Sequence, residues 1–396
     1  MQAATRGYLA GAVVVLSMLA AVPAAASPHS EAAGCHGVAA LPSSIKARDI
    51  ELEGVAALSA CDIWTVGSGQ ADKAAPREGA VALHWDGKSW HVAAAPSPGG
   101  AGGFTQLDAV AIDRPSDAWA VGSYGKSQTS TGHALIERWN GTSWTRVASP
   151  GFGTHSVTLA GVTATSPSNA WVVGSYEAGN TVHGLIEHWN GKTWRVQATY
   201  HPAGDNDVDI TGIAATKAGT WAVGADNEIS RGTALVITEH WTGGHWTRVS
   251  GTAFRHNAFL DVGAVTVVSR TDAWTVGDYC AAPGCQTVAD HWNGRTWTRT
   301  VSPSPGPRPK NVVLAGVTAI SARNAWAVGS FNDNTTPKIL IEHWNGRTWT
   351  QVPAREPGGQ IWSLLTAIAG HNPRSLVAVG YYMYRATAQP LVIPLH

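Results

Sequence analysis

The chain has 396 residues, with 27 Lys and Arg against 27 Asp and Glu, and only 14% of its residues are charged. A balanced chain with no basic run lacks the electrostatic footprint of a nucleic-acid binder, and an anionic membrane surface is equally unsupported as a partner. Nineteen tryptophans and no helical periodicity point to a β protein built of repeats.

Residues 1–26 read as a secretory signal: Arg6, an apolar stretch from Tyr8 to Ala21, then Ala24-Ala25-Ala26 as a cleavage site. The apolar run is short for a bilayer span and no other segment approaches it. The mature chain is therefore expected to be secreted, extracellular and not inserted in a membrane. Residues 27–34 make a short linker, and residues 35–396 make one domain.

The repeat fills that domain. Its first tryptophan falls at Trp64, Trp119, Trp171, Trp221, Trp274 and Trp326, roughly every fifty residues. A second falls at Trp85, Trp139, Trp189, Trp241, Trp292 and Trp344, and a third at Trp90, Trp144, Trp194, Trp246, Trp297 and Trp349. Only Trp362 stands outside. A seventh unit keeps the strand Leu376-Val377-Ala378-Val379-Gly380 with its tryptophan replaced by Val377.

Each unit reads as four short strands. In the third unit these are Leu159–Ala164, Trp171–Tyr176, Leu185–Trp189 and a strand opening at Trp194. Asn190-Gly191 predicts a type I′ hairpin, in which both central residues need positive φ. Seven such units describe an all-β, seven-bladed β-propeller with four antiparallel strands per blade. The blades start near residues 52, 107, 159, 210, 262, 314 and 365.

The seventh unit ends after its third strand, Leu391–Leu395. Residues 35–51 supply the closing strand and its connection, with His36–Pro42 as the outer strand of the last blade. Closure from the opposite terminus removes two exposed sheet edges. Pro394 fits only where its missing N–H is not needed in the ladder.

The four cysteines suit an oxidising compartment. Cys280 and Cys285 share one loop and are expected to pair. Cys35 with Cys61 would staple the closure. No Cys/His cluster has ligand spacing, so no metal and no cofactor is predicted.

Two connections per blade lie on one end and vary in length; the other end is short and uniform. The variable face is the candidate site, because loops on a rigid scaffold carry function. An aromatic recurs there two residues after the motif glycine: Tyr124, Tyr176, Tyr279, Phe331 and Tyr382. Such rings stack on sugar faces or wedge between blades. His133 and His183 precede the third strand on the same side. The repeated Glu-His pairs (Glu187-His188, Glu239-His240, Glu342-His343) read as structural, since a general acid or base is needed once. Asp62, Asp117, Asn169, Asp272 and Asn324 suit turns whose side chains bond their own backbone.

Laid out as Leu-x-Gly-Val-x-Ala, Asp/Asn-Ala-Trp-Ala-Val-Gly and Glu-His-Trp-Asn-Gly-x-x-Trp, the chain resembles secreted tryptophan-rich repeat propellers of high-GC bacteria. More distantly it is similar to tectonin-type lectin propellers and kelch-type propellers. The lectin resemblance implies glycan binding between blades. A kelch-type copper oxidase would need a cysteine linked to a tyrosine, and here the cysteines are committed elsewhere. The expectation is an exported, monomeric, non-enzymatic binding module for extracellular or cell-wall glycan. The alternatives are a polysaccharide hydrolase or lyase, which requires a carboxylate pair in or above the central channel, and a scaffold for an extracellular protein partner.

Overall fold

A computed structural model describes residues 35, 37–42, 48–70, 79–127, 131–153, 155–179, 181–199, 207–228, 233–255, 259–282, 284–306, 311–333, 336–357 and 362–395. The secretory signal expected at 1–26 and the linker expected at 27–34 lie outside the described residues. The described residues form seven antiparallel sheets and no helix. The first six sheets have four strands each, paired in sequence order, as in Arg48–Ser59, Asp62–Gln70, Gly79–Trp85 and Trp90–Ala93 of the first blade. The chain is a seven-bladed β-propeller.

The tryptophans join blades to one another as well as pairing within a blade, where the second and third rings meet at 5.6–5.8 Å. The first tryptophan of a blade is buried against the second and third of the next: Trp64 on Trp139 and Trp144, Trp119 on Trp189 and Trp194, and so on to Trp274 on Trp344 and Trp349. The ring centroids are 4.8–5.3 Å apart, at tilted or edge-on angles that favour aromatic pairs. At the last junction Val377 takes the first tryptophan's place, packing in one cluster with Trp85 and Trp90 of the first blade.

The Glu-His pairs are structural, and the two side chains serve different neighbours. The histidine stacks on its own blade's first tryptophan at 4.0–4.6 Å. Its Nε2 meets the turn residue before that tryptophan: His84 with Asp62, His188 with Asn169, His291 with Asp272, His343 with Asn324, at 2.7–3.0 Å. These turn side chains thus hold the third strand instead of their own backbone. Arg138 does the same work on Asp117 while covering Trp119. The acid points the other way and accepts a hydroxyl proton from the preceding blade: Ser149 to Glu187 at 2.9 Å, Thr199 to Glu239 at 2.6 Å, Ser302 to Glu342 at 2.6 Å. Glu137 breaks the rule. Ala95 stands where its hydroxyl donor would be, and neither carboxyl oxygen of fully buried Glu137 has a partner.

The hairpin between third and fourth strands also departs from expectation. Trp189 pairs directly with Trp194, so four residues turn the chain, not two. Asn190 Oδ1 accepts the N–H groups of Lys192 and Thr193, both at 3.0 Å, and only Gly191 takes a positive φ of 91°. Asparagine here caps the turn with its side chain.

Closure joins the two ends of the chain without a regular strand. The seventh sheet has three strands, Trp362–Ala369, Val377–Tyr384 and Thr387–Pro394. Residues 37–42 lie in the junction with the first blade: Val38 is buried in one cluster with Val377, Val379 and Val392 of the seventh blade and Leu83 and Trp90 of the first. Trp90 Nε1 donates to the Ala39 carbonyl at 2.8 Å. Val377 pairs with Pro394 and Tyr381 with Pro390, while the N–H of Leu395 points inward to Leu376. By alternation Pro390 and Pro394 present their imide nitrogens to the outer edge, which lacks those donors, so no ladder forms there. Thr366 Oγ1 adds a bond across the junction to the Leu52 carbonyl at 2.7 Å. Both expected disulfides, Cys35–Cys61 and Cys280–Cys285, are formed.

Candidate functional site

The seven innermost strands surround a central channel of about 290 Å³. Each carries a β-bulge after its motif leucine, or after Ile210 and Val262 in the fourth and fifth blades, so the following residue is left unpaired. A bulge re-aims a side chain, and here those residues line the channel: Glu53, Asp108, Ala160, Thr211, Gly263, Ala315 and Thr366. The bulge also explains the motif glycine. A Cβ on Gly67 would lie 1.9 Å from the Glu51 carbonyl oxygen, so no side chain fits.

Two of the seven positions are acidic, in adjacent blades. Burial pushes the Glu53 carboxyl up to about 8, with the negative charges of Asp108 and Glu51 adding to the rise. Burial raises Asp108 to about 6, opposed by a 2.6 Å hydrogen bond from Gln106. Asp108 Oδ2 has no partner. Tyr381 of the seventh blade is raised by burial and by the charges of Glu53 and Glu51.

A second acidic group comes from the fourth and fifth blades. Asp261 sits directly across the ladder from Asp278, a placement that like charges resist. Burial and then Asp261 push Asp278 up to about 7, and Asp209 is raised by burial and by Asp261 against a hydrogen bond from Ser175. Both groups lie at the end of the strands that leads to the variable loops. Asp278 also approaches Cys280 and Cys285, the one grouping of metal-ligand residue types found among the described residues. Its two sulfurs are bonded to each other, so it is not a thiolate site.

Another concavity among the described residues lies on the variable face between the second and third blades. It encloses about 220 Å³ and is lined by Tyr124, His133, Arg146, Phe152 and His155 with the Ser149–Gly151 connection. Arg146 lies over the Tyr124 ring at 4.5 Å and donates from Nη2 to the Tyr124 hydroxyl at 2.6 Å. His133 contacts the same ring at 5.3 Å. Behind this wall Tyr176 meets Phe152 at 5.3 Å and stacks on His183 at 5.1 Å.

Of the residues singled out from sequence, the structure gathers Tyr124, Tyr176, His133 and His183 at this one junction. Tyr279 packs on Phe254 at 4.5 Å and Phe331 packs into the core between the fifth and sixth blades. Tyr382 pairs with Ser363 and Gln389 in the seventh sheet, away from the junction. Tyr124 and Tyr176 also back onto inter-blade cores, so these rings both wedge blades and face the surface. Sequence reading missed Arg146, Phe152 and His155 at the pocket, and Glu53 and Asp108 in the channel. The signal for the last two was available: an acid where other units place a small residue or threonine after the motif leucine.

No protein-family model and no curated protein matches the chain. Solved structures do match by fold. YCF48, solved bound to D1 peptide, superposes with a TM-score of 0.51 at 13% identity, over 90% of this chain and 96% of that one. A polysaccharide lyase, the PL25 ulvan lyase, gives a TM-score of 0.55 at 9% identity, over 88% and 94%. The same lyase bound to -[GlcA(1-4)Rha3S]- gives 0.52 at 10% identity, over 84% and 89%. At such identities the likeness is one of propeller fold.

Proposed function

We propose that this chain is an extracellular glycan-binding module that holds its ligand on the variable face, in the pocket between the second and third blades. The observation that carries the reading is the lining of that pocket: aromatic planes at Tyr124 and Phe152 beside the polar heads of Arg146, His133 and His155. Apolar ring faces plus a few placed hydrogen-bonding groups are what a sugar requires of a binding site. The two disulfides suit an oxidising environment. On a glycan array and in pull-downs with isolated cell walls, the protein is expected to bind, and Tyr124→Ala is expected to weaken binding at least about fivefold, on the order of 1 kcal/mol. Blank results in both assays sink the reading.

A second reading, a polysaccharide-active enzyme, is favoured by one observation. Glu53 and Asp108 face one channel with carboxyls raised to about 8 and about 6. A protonated acid beside an ionised one is the pairing glycoside hydrolysis uses. Release of reducing ends from a polysaccharide, abolished in Glu53→Gln and in Asp108→Asn, would establish it.

A further inference from the structure

We infer that the pocket between the second and third blades selects an anionic sugar, one carrying a carboxylate or a sulfate, through the guanidinium of Arg146. This rests on the glycan-binding reading and narrows its ligand class.

The molecule contains its own control. Glu137 and Arg146 face each other across the third and fourth strands of the second blade, and Asp290 and Arg299 occupy the same ladder position in the fifth. In the fifth blade the pair is closed: Arg299 Nε donates to Asp290 Oδ1 at 2.9 Å, Nη2 to Oδ2 at 3.3 Å, and the guanidinium covers Phe254 at 4.0 Å. That arginine is spent on the sheet. In the second blade the acid stays buried with both oxygens unpartnered, and the arginine turns outward onto Tyr124.

The electrostatics of the two blades differ accordingly. Burial pushes the Glu137 carboxyl up to about 8 against the opposing charge of Arg146, so at neutral pH it is largely protonated and leaves most of that arginine's charge in place. Among the described residues Arg146 forms no ion pair, whereas Arg138, in the same blade, is paired with Asp117. No Asp or Glu lines the pocket. The result is a guanidinium fixed in orientation by the tyrosine hydroxyl, uncompensated, and open to a concave space of about 220 Å³. Guanidinium is a planar fork of donors that matches carboxylate or sulfate oxygens two at a time. The pocket is smaller than the roughly 300–1,000 Å³ of drug-sized ligand sites, which suits one sugar residue of a longer chain.

The test uses residues 27–396 in titration calorimetry with three oligosaccharides of equal length: a uronate, a sulfated galactan fragment and the unsulfated galactan. Wild type is expected to bind at least one acidic ligand about tenfold or more tightly than the neutral one, with affinity falling as salt rises. Arg146→Gln is expected to lose that tenfold preference without a change in melting temperature, since the side chain lies outside every buried cluster. Arg146→Lys, which keeps charge but not the fork, is expected to recover only part of it. Which acidic arm binds identifies the anion. Equal affinity for acidic and neutral ligands, or a preference intact in Arg146→Gln, overturns the inference and leaves the glycan reading standing. Failure of all three ligands, together with a blank array, removes both.

Discussion

Removing residues 35–42 is expected to lower the thermal midpoint by on the order of 10 °C, as read by scanning calorimetry of residues 27–396 and of residues 43–396. The segment supplies three separate contributions. Loss of the Cys35–Cys61 disulfide, whose cysteines are 26 residues apart, costs about 3 kcal/mol. Exposing the faces that Val38 and Leu41 cover costs roughly 1.5–3 kcal/mol for a fully buried side chain such as Val38 and less for Leu41. Trp90 then loses the Ala39 carbonyl as acceptor, a further ~1 kcal/mol. For a domain of this size each kcal/mol moves the midpoint by about 2 °C. The argument depends on where the segment lies, between the last blade and the first, and not on ladder pairing. An unchanged midpoint would show that the ring is closed by other contacts alone.

The protein is also expected to lose stability as pH rises from about 5 to about 8.5. Glu137, Glu187 and Glu342 are buried between blades, and burial pushes their carboxyls up to about 8, about 7 and about 8 from an ordinary value of 4.5. Below pH 4.5 both the folded and the unfolded chain hold these protons, and the full stability is present. Above it the unfolded chain releases them while the folded chain keeps them, so the folded state is progressively disfavoured until its own carboxyls titrate near pH 7–8. Each acid contributes on the order of a few kcal/mol to that slope. Denaturant titrations at the two pH values measure it directly. Glu137→Gln is expected to flatten the dependence most, because its carboxyl has no hydroxyl donor. Ala95→Ser, which restores the donor that other blades have, is expected to add about 1 kcal/mol at neutral pH. A stability that is flat or rises across this range would mean the acids are ionised in the folded ring.

The fold was legible because the repeat encodes it redundantly. Strand spacing, turn residues and the three tryptophans recur in six units, so one misread unit is corrected by five others. The closure was legible in place but not in kind. Residues 37–42 reach the predicted junction, yet Pro390 and Pro394 strip the neighbouring edge of donors, and a proline's effect depends on which way its nitrogen faces. The site was legible only in part. Rim aromatics are visible in sequence, but which of them meet is a matter of neighbouring blades, and only Tyr124, Tyr176, His133 and His183 do. Arg146 and Arg299 look alike in sequence. They diverge because Asp290 reaches its arginine and the buried Glu137, three blades earlier, does not.

What the sequence determined by itself is periodic: seven blades, strand order, the two cysteine pairs and the structural role of the repeated acids and histidines. Periodicity survives without coordinates because each unit meets the same local physics of turns, alternation and burial. The tertiary structure decided everything that lies between units. The tryptophans proved to pack blade against blade, the bulged residue of each inner strand proved to face the channel, and Arg299 proved to be held by its ladder acid where Arg146 is turned onto Tyr124. Those outcomes depend on contacts between residues some fifty positions apart, and on geometry that no single repeat contains.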